Sequence, residues 1–401
     1  MNCTVKDNIY WVGFVDWNVR DFHGYETHRG STYNAYLVLD EKPALIDAVK
    51  GPYAPELLAR VAERVDLGKV AYVVCNHAEP DHAGGLPAVM AACPQAELVC
   101  NAKCREALSQ HFDTSAWRFK VVADGATLSL GRRTLQFFET RMVHWPESMA
   151  TYVPEEKLLF SMDAFGQHMA SSGRFDDEVP FGELMSEAKT YYANILMPFG
   201  APIGRTLDRL SGLELEMVAP SHGVIWRRHF KEISEAYRRW TRLEAQPKVL
   251  VVYDTMWKST EQMAHAILEG ATQPGVEAKL IYIRASNTTE IATEVLDAAC
   301  VAFGSATLNN CIMPQAAAAL TYLKGLKPVG KAGFFFGSYG WAKAAAAQEA
   351  QQYFEAMKLQ VTRAPLVSQF VPKPEILEEC RAAGRQLVEK ALELSGKALA
   401  Q

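Results

Sequence analysis

Val74-Cys75-Asn76-His77-Ala78-Glu79-Pro80-Asp81-His82-Ala83-Gly84-Gly85 is the stretch on which the reading of this chain turns. The apolar run before it, residues 70–74, reads as a buried strand. His77, Glu79, Asp81 and His82, four groups able to bind a metal, then fall within six residues. Pro80 and the two glycines suit a tight turn that leads into a helix over 86–92. Two imidazoles and two carboxylates make a mixed nitrogen and oxygen donor set. Such a set suits iron, manganese or zinc better than a thiolate-seeking metal. The competing reading is a polar turn without chemistry, but four potential ligands so close together are rare without a metal.

Working outward, strands are expected over 9–15, 35–39, 44–46 and 98–100, with helices over 55–65 and 102–111. A long polar segment, 16–33, holds His23 and His28 and reads as a surface excursion or a lid beside a site. A hairpin is expected over 127–138, and strands over 158–163 and 215–219. The regularity that matters lies at the strand ends. His77, His144, Asp163 and His222 each stand just beyond an expected strand. Strand ends on one edge of a layered α/β scaffold converge, as a metal site requires. Taken alone, His144 or His222 reads equally well as a hydrogen-bonded core histidine.

Bulk numbers narrow the classes. A chain of 401 residues favours two domains. Its 49% hydrophobic and 22% charged content is that of an ordinary globular protein. A net charge of -5 without a basic block argues against a nucleic-acid partner. No apolar stretch has membrane-spanning length, and the start lacks a signal-peptide pattern. The eight cysteines include no Cys-x-x-Cys pair. This argues against a zinc knuckle or a built-in rubredoxin-type iron centre, and suggests reduced thiols in a cytoplasmic setting.

A charged helix over 229–243 precedes Glu244-Ala245-Gln246-Pro247, and a domain boundary is expected there, giving 1–246 and 247–401. From 248 onward there are 15 Lys/Arg against 14 Asp/Glu, whereas the first part has 26 against 32. After the boundary, apolar strands alternate with helices: strands over 249–253, 279–283, 300–303 and 332–336, helices over 260–271, 290–298, 315–323, 341–357 and 376–394. That rhythm implies a doubly wound parallel sheet covered on both faces. Its strand ends carry Thr255, Met256, Trp257, Ser259 and Thr260, then Ser305, Ala306, Thr307, Asn309 and Asn310, then Ser338, Tyr339, Gly340 and Trp341. Hydroxyls and backbone N–H groups at a helix start can cradle a phosphate. Aromatic and small residues can flank a flat ring. Neither a P-loop nor a Gly-x-Gly-x-x-Gly fingerprint is present there. Helix capping and core packing are the plainer account of each loop taken singly.

The first domain resembles the metallo-β-lactamase fold, an αββα sandwich. Hydrolases of that fold carry His-x-His-x-Asp-His, where this chain has His77-x-Glu79-x-Asp81-His82. Glutamate in the middle makes the site harder and more anionic, which favours iron over zinc. With the later His144, Asp163 and His222, the chain is similar over nearly its whole length to the flavodiiron proteins. It is nearest to their rubredoxin:oxygen oxidoreductase type, as in Asp21-Phe22-His23-Gly24-Tyr25 and Thr140-Arg141-Met142-Val143-His144-Trp145-Pro146. The second domain resembles flavodoxin, which implies FMN; the usual family residue at Ala306 is proline.

The resemblance implies a diiron centre with a bridging oxo or hydroxo group. His77, Glu79 and His144 would bind one iron, Asp81, His82 and His222 the other, and Asp163 would bridge. In some members the residue at the His82 position turns away and water replaces it. Electrons would arrive from a separate rubredoxin through FMN, and dioxygen would become water; nitric oxide reduction to nitrous oxide is the alternative. A head-to-tail homodimer, or a pair of such dimers, would bring one subunit's flavin to the other's irons. His23, Tyr25, Trp145 and Tyr192 are candidates to line the pocket. Two other readings stay open: a dinuclear zinc hydrolase, opposed by Glu79 and the flavodoxin-like half, and an electron carrier with a degenerate first domain, opposed by the seven ligands.

Overall fold

The computed structural model describes residues 3–397. The chain packs into two compact units. One runs up to Tyr191 and takes in Ala201–Arg238; the other comprises Tyr192–Gly200 and the chain from Arg239 onward.

Two sheets face each other in the first unit. The larger has seven strands, in the order Cys3–Lys6, Ile9–Trp11, Tyr36–Val38, Ala44–Ile46, Tyr72–Val74, Glu97–Cys100 and Arg118–Val121. The smaller runs Thr127–Ser129, Thr134–Glu139, Met149–Val153, Leu158–Met162 and Met217–Pro220. Period-two alternation assigns the faces. Leu37, Leu45, Val73 and Leu98 pack beneath helices Ala54–Ala62, Leu86–Ala92 and Ala102–His111, with Leu57, Val89 and Leu108. Tyr36, Val38, Ile46 and Val74 turn the other way, onto Leu135, Phe137, Leu158 and Phe160 of the second sheet. The unit is thus an αββα sandwich.

The central strand Tyr72–Val74 runs parallel to both Ala44–Ile46 and Glu97–Cys100. At its end Asn76 is pinned from both sheets. Its backbone N–H and its side-chain amide donate to the two oxygens of Asp47 at 2.7 and 2.9 Å. Thr151 donates to Asn76 Oδ1 at 2.7 Å, and the Met149 N–H to the Asn76 carbonyl at 2.9 Å. Pro80 then opens the short helix Pro80–Ala83, where its missing N–H costs nothing. Gly84 closes that turn: a Cβ there would stand 2.3 Å from the Pro80 carbonyl oxygen.

The second unit carries a parallel sheet ordered Glu277–Tyr282, Gln246–Asp254, Ala298–Ser305, Ala332–Tyr339, with Gln360–Val361 and Leu366–Gln369 both paired to the last of these. Helices Ser259–Ala271 and Pro374–Ser395 cover one face through Met263, Ile267, Leu387 and Val388. Three expectations change. The helix before the parallel sheet is Phe230–Thr241, and Pro247 lies inside the strand Gln246–Asp254 instead of stopping that helix. The helix expected from Trp341 begins at Ala345, because Ser338 and Tyr339 still pair with Ser368 and Gln369. The polar segment 16–33 is not plain loop: Asp21–Phe22 pairs with Tyr25–Glu26, and Phe14–Asp16 with Ser31–Tyr33.

Candidate metal centre and cofactor pocket

All seven ligand candidates meet at one edge of the sandwich. His77, Glu79, His144 and Asp163 offer ligand atoms within 4.8 Å of one another, and so do His82, Asp163 and His222. His23, Asp81 and His222 form a third such group. Asp163 is the hinge of the arrangement. Its Oδ2 lies 3.5 Å from His77 Nε2 and 3.2 Å from His144 Nε2. Its Oδ1 lies 3.1 Å from His82 Nε2 and 3.6 Å from His222 Nε2. Each oxygen serves a different pair of imidazoles. Glu79 Oε2 joins the first pair, 3.1 Å from His77 and 3.3 Å from His144. Asp81 Oδ2 joins the second, 3.2 Å from His82 and 3.0 Å from His222. His82 turns inward, with its Nε2 among the carboxylates.

The electrostatics are those of a cation site. Asp81, Asp163, His77, His82 and His222 are at most 3% exposed. Both oxygens of Asp81 and of Asp163, with Nε2 of His82 and His222, are buried and make no well-formed hydrogen bond. Leaving such atoms unsatisfied is costly, so metal cations held between them fit the donor set. Burial would raise the Glu79 carboxyl, but hydrogen bonds from His144 and His77 draw it down to about 2. Burial opposes the charge on His82 as well, yet Asp81 and Asp163 lift it to about 9. Asp163 is likewise held well below its ordinary value against its own burial, first by His82 and then by His144.

Around this cluster His23, in a left-handed turn, puts Nε2 3.5 Å from both Glu79 Oε1 and Asp81 Oδ2. His168 stands behind it, Nε2 3.3 Å from His23 Nδ1, with Ser31 Oγ 2.7 Å from His168 Nδ1. Burial first, then the neighbouring His222 and His23, keep His168 neutral far below the usual histidine range. Trp145 sets its ring edge-on to His77 at 5.1 Å, and Tyr25 lies 5.5 Å from the His168 ring. Tyr192 is elsewhere: its ring packs on Trp240 at 5.2 Å within the second unit. The helix Phe181–Tyr191 passes into a π turn at Tyr192, and consecutive residues of a helix point apart by about 100°. Tyr191 takes the role expected of Tyr192, with its ring 5.0 Å from His168 and 6.0 Å from His222.

In the second unit the three loops wall a cavity of about 660 Å³. Met256, Trp257, Ser259, Ala306, Thr307, Asn309, Asn310, Ser338, Tyr339, Gly340 and Trp341 line it. Of the other expected residues, Thr260 donates to or accepts from Ser338 Oγ at 2.9 Å, and Ser305 Oγ accepts from the Met313 N–H. Thr255 Oγ1 is buried and has no hydrogen-bond partner among the described residues. Asn309 and Asn310 both have positive φ and turn the hairpin between Thr307–Leu308 and Cys311–Ile312. Trp257 is 83% and Trp341 92% exposed, so the aromatic walls are open. A cavity of this size with apolar walls and a hydroxyl-rich helix start suits an aromatic cofactor carrying a phosphate.

Residues 32–223 match the family described as ODP family beta lactamase, and residues 251–384 match Flavodoxin. A curated relative, the nitric oxide reductase of Moorella thermoacetica, is 45% identical over 96% of this chain and 97% of its own. The crystal structure of the flavodiiron protein from Giardia intestinalis superposes with a TM-score of 0.96 at 40% identity, over 99% of this chain and 98% of that one. The chain belongs to the flavodiiron protein family. The rubredoxin oxygen:oxidoreductase of Desulfovibrio gigas likewise gives 0.96 at 37% identity, over 98% and 99% of the two chains.

As a flavodiiron protein the chain is a redox enzyme with a metal-ligand cluster on one unit and a flavodoxin domain as the other. Residues passed over in the sequence complete both sites. Glu147 accepts from His77 Nδ1, His168 and Tyr191 back the cluster, and Phe370 and Val371 add to the cavity wall. Glu147 lies three residues after His144 and His168 five after Asp163, so a search for polar residues trailing each ligand could have found them. Phe370 carried no such signal, because it reaches the cavity only through the pairing of the preceding strand, Leu366–Gln369, with Ala332–Tyr339.

Proposed function

We propose that this flavodiiron protein reduces dioxygen to water at two iron ions fed with electrons through FMN. His77, Glu79 and His144 would hold one ion, Asp81, His82 and His222 the other, and Asp163 would lie between them. Residues 1–246 form the iron-binding part and 247–401 the FMN-binding part. The observation that carries the reading is the division of Asp163, one oxygen toward each pair of imidazoles. When bound, FMN would supply the capacity to take up electrons and release them singly, and iron the capacity to pass them to the oxidant.

The reaction consumes four electrons and four protons per dioxygen and yields two waters. His23 orients the substrate from Nε2, beside Glu79 and Asp81. His168 and Ser31 hold the hydrogen-bond line behind it. Trp145 and Tyr25 exclude bulk water, with Tyr191 in place of Tyr192. Thr255, Ser259 and Thr260 would hold the FMN phosphate, and Tyr339 and Trp341 its ring. A separate rubredoxin is the donor, and a head-to-tail homodimer joins flavin to iron between subunits. The setting is cytoplasmic; no described helix is long and apolar enough to cross a membrane. The nitric oxide reductase of Moorella supports a second reading on the same site, two nitric oxide molecules taking two electrons and two protons to give nitrous oxide and water.

The test mixes anaerobically reduced protein with dioxygen or nitric oxide and follows flavin reoxidation, products and iron content. Four electrons consumed per dioxygen, with two irons and one FMN per chain, is the expected result. Faster nitric oxide consumption with nitrous oxide formed moves the assignment to the second reading. A zinc-loaded, colourless and unreactive protein overturns both.

A further inference from the structure

Glu147 is 2% exposed and lies directly behind His77. Its Oε1 accepts from His77 Nδ1 at 2.7 Å and from the Ala78 N–H at 3.2 Å. Asn101 Nδ2 donates to the Glu147 carbonyl at 2.7 Å and fixes the backbone there. The second pair of imidazoles has no such carboxylate on its outer nitrogens. His222 Nδ1 donates to the neutral Thr32 carbonyl at 2.6 Å. His82 Nδ1 is buried without a hydrogen-bond partner among the described residues. The inner carboxylates are balanced: Glu79 on one side, Asp81 on the other, and one Asp163 oxygen for each. At the outer imidazole nitrogens the asymmetry therefore comes from Glu147, since the other buried carboxylate nearby, Asp47, bonds to Asn76 and not to an imidazole.

We propose that Glu147 makes the two metal positions unequal, so that the position built by His77, Glu79 and His144 takes the first ion. This rests on the ligand assignment proposed above. Glu147 acts as a positioning residue. It holds His77 in the tautomer whose Nε2 lone pair faces Glu79 and Asp163, and a carboxylate behind an imidazole strengthens it as a donor. A buried negative charge close to the position also attracts a dication more strongly than a neutral carbonyl does.

The test uses the full chain, stripped with a chelator and titrated with Zn(II), followed by calorimetry and by the histidine-ring NMR signals. Two steps are expected, with the His77 and His144 rings shifting in the first and those of His82 and His222 in the second. Glu147→Gln keeps the size and the hydrogen-bond acceptor but removes the charge. It is expected to weaken the first step about 10–100-fold and to leave the second unaltered. An unchanged first step in that variant, four rings that shift together, or His222 shifting first overturns the inference. Should the variant fail to fold by circular dichroism, the order of ring shifts in the unsubstituted chain decides the matter. A chain that binds fewer than two ions, or whose rings do not respond, overturns the ligand assignment itself and this inference with it.

Discussion

Gly223, one residue past His222, has a φ of +79°, and a Cβ placed there would stand 1.7 Å from Gln167 Oε1. That amide oxygen already accepts from the Val224 N–H at 2.8 Å, and its nitrogen donates to the Phe165 carbonyl at 3.0 Å. The Gly223 N–H itself donates to Thr32 Oγ1, beside the carbonyl that orients His222. Gly223→Ala is therefore expected to destabilise the chain by about 1–3 kcal/mol and to lower the bound iron. Urea unfolding with iron analysis on the same samples checks this. An alanine variant with unaltered midpoint and full iron would show that the turn adapts. Side-chain direction at this scale was only partly open to the sequence. The ligand types and their spacing marked the centre, but Tyr191 and Tyr192 are adjacent, and only the way the helix packs decides which of them faces His222.

At the scale of elements, the cofactor loops differ from the strands that carry them. Strand Ala332–Tyr339 is buried over Ala332–Gly337, whereas Trp341, just beyond it, is 92% exposed. An exposed ring contributes little to folding and is available to a ligand. Trp341→Ala is expected to raise the FMN dissociation constant about tenfold, the loss of one aromatic contact of about 1.4 kcal/mol. The flavin-free chain should keep its unfolding free energy within about 0.5 kcal/mol. Flavin fluorescence titration and denaturant unfolding measure the two. A large stability loss with unchanged affinity would instead make Trp341 a packing residue. Ser305 illustrates the opposite case. Its buried hydroxyl accepts from the Met313 N–H and donates to the Ala306 carbonyl, so it braces the loop.

For the whole molecule, the metal cluster ties stability to pH. In the metal-free chain His82 titrates near 9, lifted by Asp81 and Asp163 against burial. A raised histidine stabilises the fold fully below about 6.5, and that contribution is lost as pH rises through about 9. Glu79, drawn down to about 2, gives stability that is full above its ordinary value and is lost as pH falls toward about 2. Chelator-stripped protein should therefore weaken between pH 6.5 and 9, and the iron-loaded protein should not, since the metal takes the place of the proton. Urea midpoints of both forms across that range test it. Parallel curves would mean that His82 is not coupled to the centre.

The sequence by itself marked most of the elements, the two-part composition and the residues that meet in the metal-binding cluster. Apolar alternation, strand-end placement and local ligand spacing are all written within a few residues of one another. It also marked the three loops of the cofactor pocket. Tertiary structure alone decided which oxygen of Asp163 meets which imidazoles, that His82 points inward, that Glu147 backs His77, and that Phe370 joins the pocket. Those relations join residues that are distant in the chain, or depend on a single turn of backbone. Local propensity carries no term for either, whereas packing of the two sheets and pairing of the parallel strands fixes both.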